Sequence, residues 1–280
     1  MYAEDAEDGR RADRTDVEVW RASLDILQAL PPLPTPDWRT LRLQSALGVS
    51  GVISAVVVAV TSTHIGTRLM DVVKWGVLPQ VLLVLTYVLA VVALSCLVGI
   101  MFSDPGVIER SPATCLPVPL EVAIKIRNSE PLGALANTEE GGHTYCTRCL
   151  VWRKHDELAS RSVAEWLCGI RHKGRFHHCS VCQRCVKNFD HHCGFFGRCI
   201  AGNGFGGNMG YFQVIIAVGF LGYANAAVAV VICLSRYHIG RWLALGVGLY
   251  CSCVFLLSVV MCSVRLFTCL FRAVTGRPEP

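Results

Sequence analysis

Cysteine and histidine residues are concentrated in one short part of the chain. This part contains the repeated spacing Cys-x-x-Cys, a His-Cys dipeptide at 178–179 and the run Asp-His-His-Cys at 190–193. A close pair of cysteines lets one tight turn present two thiolates to a tetrahedral zinc ion, and a histidine with a further cysteine completes a closed structural site. Two such sites would use six cysteines and two histidines, but residues 146–199 hold seven cysteines when Cys168 is set aside. One thiol is left over, and it is a candidate nucleophile.

The residues around Cys193 have the types that activate a thiol. An unperturbed thiol has a pKa of about 8.5 and is only partly ionised at neutral pH, so it needs a neighbouring base or positive charge. His191 is the candidate base, and Asp190 can fix its tautomer and stabilise the imidazolium. If Cys193 is the spare thiol, we expect it to attack an acyl thioester and to carry the acyl group to a second thiol.

The rest of the chain indicates a membrane protein. Hydrophobic residues make up 52% of the 280 residues and charged residues only 17%. Four segments lack Asp, Glu, Lys and Arg and are long enough to cross a bilayer as helices: 43–65, 75–102, 211–234 and 243–264. The first is the least apolar, because Gln44, Ser45 and several other polar residues dilute it. The predicted fold is therefore an all-α polytopic membrane protein with four transmembrane helices and a small, loop-rich, double-zinc domain.

The N-terminal residues are acidic and polar and do not have the apolar core of a signal peptide. Thr15 to Glu18 fits a capping box, and apolar residues follow at helical spacing from Val17 to Leu30, where Pro31 ends them. Two interpretations stay open for this amphipathic helix. It lies on the membrane surface, or it packs on its own protein.

Basic residues predict the orientation. Thirteen Lys and Arg lie between Ser103 and Gly210, whereas the loops at 66–75 and 235–242 have two each. We expect the 103–210 segment and both termini to be cytosolic. On that reducing side, metal binding or catalysis suits the cysteines better than a disulfide framework. The net charge of +5 is modest, and we expect no nucleic-acid partner.

The cysteine-rich stretch resembles that of the DHHC protein S-acyltransferases, integral membrane enzymes that palmitoylate proteins. Asp104-Pro105-Gly106, and Asn208 with Tyr211-Phe212, also match motifs of that family, and the resemblance covers roughly residues 40–270. It implies that one zinc is held by Cys146, Cys149, His178 and Cys185, and a second by Cys179, Cys182, His192 and Cys199. Cys193 is then the spare thiol, with His191 and Asp190 as its catalytic partners.

The resemblance also implies the reaction and its setting. A fatty acyl-CoA would donate the acyl group, Cys193 would carry it, and cysteines of membrane-associated proteins would receive it. The enzyme would lie in the Golgi, endoplasmic reticulum or plasma membrane, with its site facing the cytosol. An acyl chain gains ~0.8 kcal/mol per buried CH2, so a cavity among the helices is expected. Small residues of the third span, including Gly219, Gly222, Ala226 and Ala229, either open that cavity or serve close helix packing.

These interpretations divide the chain into five regions. They are a cytosolic N-terminal region (1–42), two transmembrane helices (43–102), a cytosolic segment (103–210) with the zinc domain (146–199), two further transmembrane helices (211–264) and a short cytosolic tail (265–280).

The sequence departs from the family pattern at three places. The spacing between Cys149 and His178 is much longer than in the family, so that Cys168 or His172 could replace a zinc ligand. Gly194-Phe195 stands where the family has Pro-Trp, and the family's Thr-Thr-x-Glu motif is missing. Two alternatives remain: a non-catalytic zinc module such as a RING-like adaptor, and an inactive family member. The enzyme is favoured, because an adaptor would not need the spare thiol beside an Asp-His pair.

Overall fold

The computed structural model describes residues 15–70, 72–133, 135–153 and 176–234. The chain divides into two compact units. Among the described residues, the cysteine-rich unit consists of 15–49 with those of 98–212, and the helical unit consists of those of 50–97 with 213–234. Each of three long helices contributes residues to both units.

The three long helices are those that the apolar segments predicted. They are α2 (Trp38–Arg68), α4 (Leu78–Phe102) and α7 (Met209–Leu234), and each is long and apolar enough to cross a membrane. At 1.5 Å per residue they are roughly 38–46 Å long, more than a hydrocarbon core of about 30 Å requires. The predicted fourth span, 243–264, lies outside the described residues. The described part of the chain therefore fits a membrane protein with at least three of the four predicted spans.

Two helix boundaries differ from the prediction for local reasons. Helix α2 begins at Trp38 rather than at Leu43, because Asp37 caps it: one carboxylate oxygen accepts from the backbone N–H groups of Arg39 and Thr40 at 3.0 and 3.2 Å. The helix of the predicted span 75–102 begins at Leu78 rather than at Trp75, because Gly76, with a φ of +54°, separates α4 from the short helix α3 (Val72–Trp75).

Polar side chains link the helices inside the helical unit. Asn225 donates to the carbonyl of Leu82 at 2.9 Å and to the hydroxyl of Thr86 at 2.6 Å. Thr86 in turn donates to the hydroxyl of Thr63 at 3.2 Å. These three side chains are buried, and such hydrogen bonds join neighbouring helices where no water can satisfy the polar groups.

A cavity of about 150 Å³ also lies within the helical unit, and its lining is almost entirely apolar. Small side chains from all three long helices contribute to the lining, including those of Ala55, Ala59, Ala90, Ala93, Gly219 and Gly222. Ala226 and Ala229 are instead buried, and Ala229 lies against Gly66. The small residues of the third span therefore serve both roles that the sequence left open: two line a cavity, and two pack in the interior.

The cysteine-rich unit contains short strands, so the prediction of an all-α fold is wrong for this part. The described residues of this unit include seven short strands: β1 (Thr138–Glu140), β2 (His143–Cys146), β3 (Val151–Arg153), β4 (His177–Cys179), β5 (Arg184–Val186), β6 (Phe189–Cys193) and β7 (Arg198–Ala201). They form one three-stranded and two two-stranded antiparallel sheets. Short helices α5 (Pro112–Cys115) and α6 (Leu120–Arg127) precede them.

The N-terminal segment packs on this unit, which decides between the two interpretations of its amphipathic pattern. The single predicted helix is broken: residues 15–20 are helical, residues 21–24 form turns, and α1 (Asp25–Ala29) follows. Val17 and Ile26 are 3% and 0% exposed, in one apolar cluster with Val122 and Tyr145. The apolar face of this segment is therefore buried against its own protein.

Candidate functional site

Three hairpin turns lie next to the predicted site residues of the cysteine-rich unit. The turns are residues 147–150, 180–183 and 194–197, and each ends at a residue with positive φ: Leu150 (59°), Gln183 (54°) and Gly197 (62°). The backbone N–H of Leu150 donates to the carbonyl of Cys146 at 2.7 Å, and that of Gly197 donates to the carbonyl of Cys193 at 2.8 Å. The turn after Cys193 thus closes in the same way as the turn that presents Cys146 and Cys149.

The first two hairpins bring four of the predicted ligands together. The Nδ1 atom of His178 lies 3.7 Å from the sulfur of Cys146, 3.2 Å from that of Cys149 and 3.9 Å from that of Cys185. We call this set the first cluster: Cys146, Cys149, His178 and Cys185.

The second and third hairpins form an equivalent set. The Nδ1 atom of His192 lies 3.6 Å from the sulfur of Cys179, 3.3 Å from that of Cys182 and 3.9 Å from that of Cys199. We call this set the second cluster: Cys179, Cys182, His192 and Cys199.

Both clusters have the donors and the spacing that a zinc ion needs. In each, one donor atom from every residue lies within 4.8 Å of all the others. Three thiolates and one imidazole are a usual donor set of structural zinc, and bonds of about 2.0–2.3 Å in a tetrahedron place the donors roughly 3.3–3.8 Å apart. The two clusters can therefore each hold one metal ion, and the eight side chains are grouped as the family resemblance implied.

Alternation along the strands explains why neighbouring residues enter different sites. Successive side chains of a strand point to opposite faces. On β4, His178 therefore joins the first cluster and Cys179 the second. On β6, His192 turns to the second cluster, whereas His191 and Cys193, two residues apart, share the other face.

A β-bulge brings Asp190 to the same side as His191. The pairing of β6 with β7 shifts register between Phe189 and His191, so Asp190 is an extra residue on its strand. Bulges re-aim a side chain in this way and are common beside active sites. The Nδ1 atom of His191 lies 2.8 Å from a carboxylate oxygen of Asp190. That contact leaves Nε2 of His191 for proton transfer.

The surroundings of Cys193 favour its thiolate. Burial raises the pKa of Cys193. The hydrogen bond with His191 and those from the backbone N–H groups of Phe196 and Phe195 together lower the pKa by more than burial raises it, so the net shift is downward. The hydrogen bonds to Asp190 and Cys193 raise the pKa of His191 to about 9, although burial opposes them. The geometry therefore stabilises a thiolate beside an imidazolium.

The start of helix α2 packs against the turn that follows Cys193. The hydroxyl of Ser45 donates to the carbonyl of Phe196 at 2.9 Å, and Nε2 of His192 lies 3.2 Å from the side-chain oxygen of Gln44. One turn further, Gly48 leaves no room for a side chain, because a Cβ there would collide with the carbonyl oxygen of Phe195. This face of α2 thus holds both the second cluster and the turn at 194–197.

Two polar side chains fix the backbone next to the clusters. Asn208 is fully buried, accepts from the backbone N–H of Ala201 at 2.9 Å and donates to the carbonyl of Cys199 at 2.8 Å. Asp104 accepts from the backbone N–H groups of Gly106 and Val107 at 3.0 and 3.1 Å. The family motifs noticed in the sequence therefore act here as backbone clamps.

Gln44 and Ser45 had no predicted role, since the sequence pattern marked them only as polar residues that make the first predicted span less hydrophobic. Polar residues within such spans are often functional, and that signal could have singled them out. Arg153 is a further residue that the sequence did not point to: burial lowers the pKa of its guanidinium, but the neighbouring thiols of Cys146 and Cys185 raise it by more. The alternative ligands Cys168 and His172 lie outside the described residues.

Comparison with known proteins agrees with the resemblance seen in the sequence. Residues 159–276 match the model of the DHHC palmitoyltransferase family. The chain is 32% identical over 114 residues to the palmitoyltransferase ZDHHC18 of Mus musculus. The aligned stretch covers 38% of this chain and 25% of that protein. It is 33% identical over 129 residues to the palmitoyltransferase PFA3 of Saccharomyces cerevisiae (44% and 34%), and 30% identical over 125 residues to ZDHHC9 of Homo sapiens (44% and 30%). The matches span about a third or less of these relatives.

Proposed function

We propose that this chain, which carries a domain of the DHHC palmitoyltransferase family, transfers a long-chain fatty acyl group from acyl-CoA to cysteines of membrane-associated proteins through an acyl-Cys193 intermediate. One observation carries the proposal. Among the described cysteines of residues 146–199, Cys193 is the one that neither four-residue cluster uses, and it is paired with a histidine that is itself held by a carboxylate. An enzyme needs that arrangement, whereas a zinc module does not.

The first half-reaction loads the enzyme. The thiolate of Cys193 attacks the carbonyl carbon of the acyl-CoA thioester, a new carbon–sulfur bond forms, and the bond to the CoA sulfur breaks. The His191 imidazolium donates its proton to the departing CoA thiolate. Asp190 holds the imidazole so that one nitrogen faces this reaction.

The second half-reaction returns the enzyme to its starting state. Neutral His191 takes the proton of a substrate thiol, and the resulting thiolate attacks the acyl-Cys193 thioester. The acyl group moves to the substrate, and Cys193 leaves as a thiolate beside the re-formed imidazolium. Each half-reaction exchanges one thioester for another, so the intermediate can react forward.

We propose zinc as the metal of both clusters, because three thiolates with one imidazole suit that ion. Bound there, zinc would cross-link the hairpins and contribute folding free energy. His192 and Cys193 are consecutive on β6, so the second cluster fixes the strand that carries the nucleophile.

The helical unit supplies a candidate site for the acyl chain. Its cavity has an apolar lining with small side chains on three helices. Burial of an acyl chain is favourable by ~0.8 kcal/mol per CH2, so such a lining suits the chain better than water does. We further propose the orientation that the basic residues predict, with the cysteine-rich unit facing the cytosol of an endomembrane or the plasma membrane.

The test is acyl uptake by the purified full-length chain from an alkyne-tagged palmitoyl-CoA. The wild type is expected to take up a label that hydroxylamine removes, and Cys193→Ser is expected to take up none. Cys96→Ser, which changes a helical-unit thiol outside both clusters, is the matched control and should label normally. A zinc-loaded wild-type chain that takes up no label would overturn the enzyme assignment in favour of a non-catalytic zinc module.

A further inference from the structure

We propose that Gln44 of helix α2 is a positioning residue, which holds the metal ligand His192 through its second ring nitrogen and thereby steadies the strand of Cys193. The inference rests on the proposed metal site at the second cluster. Gln44 does not reach the reacting atoms in this account, and it acts only through His192.

The geometry of His192 leaves one ring nitrogen for such a partner. Its Nδ1 atom faces the three sulfurs of the second cluster, and its Nε2 atom lies 3.2 Å from the side-chain oxygen of Gln44. A neutral imidazole that ligates through Nδ1 carries its proton on Nε2, so the amide oxygen is the group that must accept. Ligating histidines regularly donate their second N–H to such an acceptor, which fixes the tautomer and the ring orientation.

The backbone that carries Gln44 is held in place at the start of helix α2. Asp37 caps the start of α2, and Ser45, the next residue, is hydrogen-bonded to the carbonyl of Phe196 at 2.9 Å. The backbone of Gly197 also lies so close to Leu41 and Ser45 that no side chain would fit there. Because the backbone at Gln44 is fixed relative to the turn at 194–197, its side-chain oxygen starts from a defined position and can orient the ring of His192.

The first cluster provides the contrast that makes this contact informative. The Nε2 atom of His178 is buried, yet it has no hydrogen-bond partner among the described residues. The Nδ1 atoms of His178 and His192 each face three sulfurs, but the two rings differ in the partner of the second nitrogen, Nε2. The one with a fixed acceptor is the one that precedes the nucleophile.

The experiment measures release of zinc from the full-length, zinc-loaded chain to an excess of a chromogenic chelator. Gln44→Met keeps the length of the side chain and removes the acceptor, whereas Gln44→Glu keeps an acceptor oxygen. Gln80→Met makes the same change at an exposed glutamine of the helical unit and serves as the matched control. We expect Gln44→Met to release one of its two zinc ions about 10-fold faster or more. That is the usual size of the effect when a ligating histidine loses the hydrogen-bond partner of its second ring nitrogen. Gln44→Glu and Gln80→Met should release both ions at the wild-type rates.

A second background identifies the affected ion. In Cys182→Ser, which lacks the second site, adding Gln44→Met should change the release of the remaining zinc by less than about two-fold, because Gln44 acts only through His192 of the lost site. Equal acceleration of both ions, or wild-type release from Gln44→Met, would overturn the inference while leaving the two-zinc assignment intact. A wild-type chain without zinc in the second cluster would instead overturn the metal assignment, and the inference with it.

Discussion

The first and second clusters have the same donors but different attachments. The first cluster lies beside Arg153 and packs against the N-terminal segment through Leu27, Leu30 and Leu33. Arg110 ties the two together, because it donates to the carbonyls of Cys149 at 2.9 Å and Pro31 at 2.6 Å. The second is attached to helix α2 and to Asn208. The comparison teaches that identical ligand sets serve different purposes here. The first cluster fastens the N-terminal segment, and the second fastens the strand and the turn around Cys193.

Removal of one ligand from each cluster should give the largest effects and should separate the two. Cys182→Ser and Cys149→Ser should each lose one zinc, and loss of a structural metal should lower the free energy of unfolding by more than about 4 kcal/mol. Acyl uptake should fall to background in Cys182→Ser but stay measurable in Cys149→Ser, because His192 precedes Cys193 directly. Zinc content and acyl label on the same preparations check this. Equal loss of label in both variants would break the distinction.

The two histidines of β6 should respond differently although they are neighbours. His191→Ala should slow acyl uptake by about 10²-fold or more and keep both zinc ions, since it removes only the acid–base group. His192→Ala should lose zinc as well. Asp190→Asn should lie between the wild type and His191→Ala, because the base remains but loses its charged partner. Loss of zinc from His191→Ala would contradict the assignment of its ring to Cys193.

The buried clamp at Asn208 should have an intermediate effect, confined to the second cluster. Asn208→Ala leaves the N–H of Ala201 and the carbonyl of Cys199 without their partner, which should cost about 2–4 kcal/mol of unfolding free energy. The same substitution should also accelerate the release of one zinc ion, that of the second cluster. Asn203→Ala, at an exposed position, is the control and should unfold like the wild type. Faster release of both zinc ions would show that the clamp serves the whole unit.

The smallest effect is expected where the N-terminal segment packs near the first cluster. Ile26 is fully buried, and Ile26→Ala should lower the free energy of unfolding by about 2 kcal/mol, at the low end for such changes because a short terminal helix can readjust. Leu24→Ala removes an apolar side chain that is 63% exposed and should change it by less than about 0.5 kcal/mol. Denaturant unfolding of the zinc-loaded chains compares the two. Equal stability of Ile26→Ala and Leu24→Ala would contradict the packing of this segment.

The spacing of residue types along the chain predicted the long helices and the metal-binding turns. The apolar segments predicted the three described long helices, and Cys-x-x-Cys spacing indicated tight metal-binding turns. The contacts that join distant parts of the chain were beyond such patterns: Gln44 and His192 are 148 positions apart, and nothing in either neighbourhood indicates the other. The strands were missed because they are only three to five residues long, too short to show alternation. The bulge at Asp190 depends on pairing with β7, which the sequence of β6 does not specify.

The most direct test of the central claim is to find which cysteine carries the acyl group. The full-length chain is mixed briefly with palmitoyl-CoA in the absence of a protein substrate, quenched in acid, digested and mapped by mass spectrometry. The account predicts one acyl adduct, on Cys193, in protein that retains two zinc ions. An adduct on a cysteine of either cluster, or equal labelling of several thiols in metal-depleted protein, would contradict it.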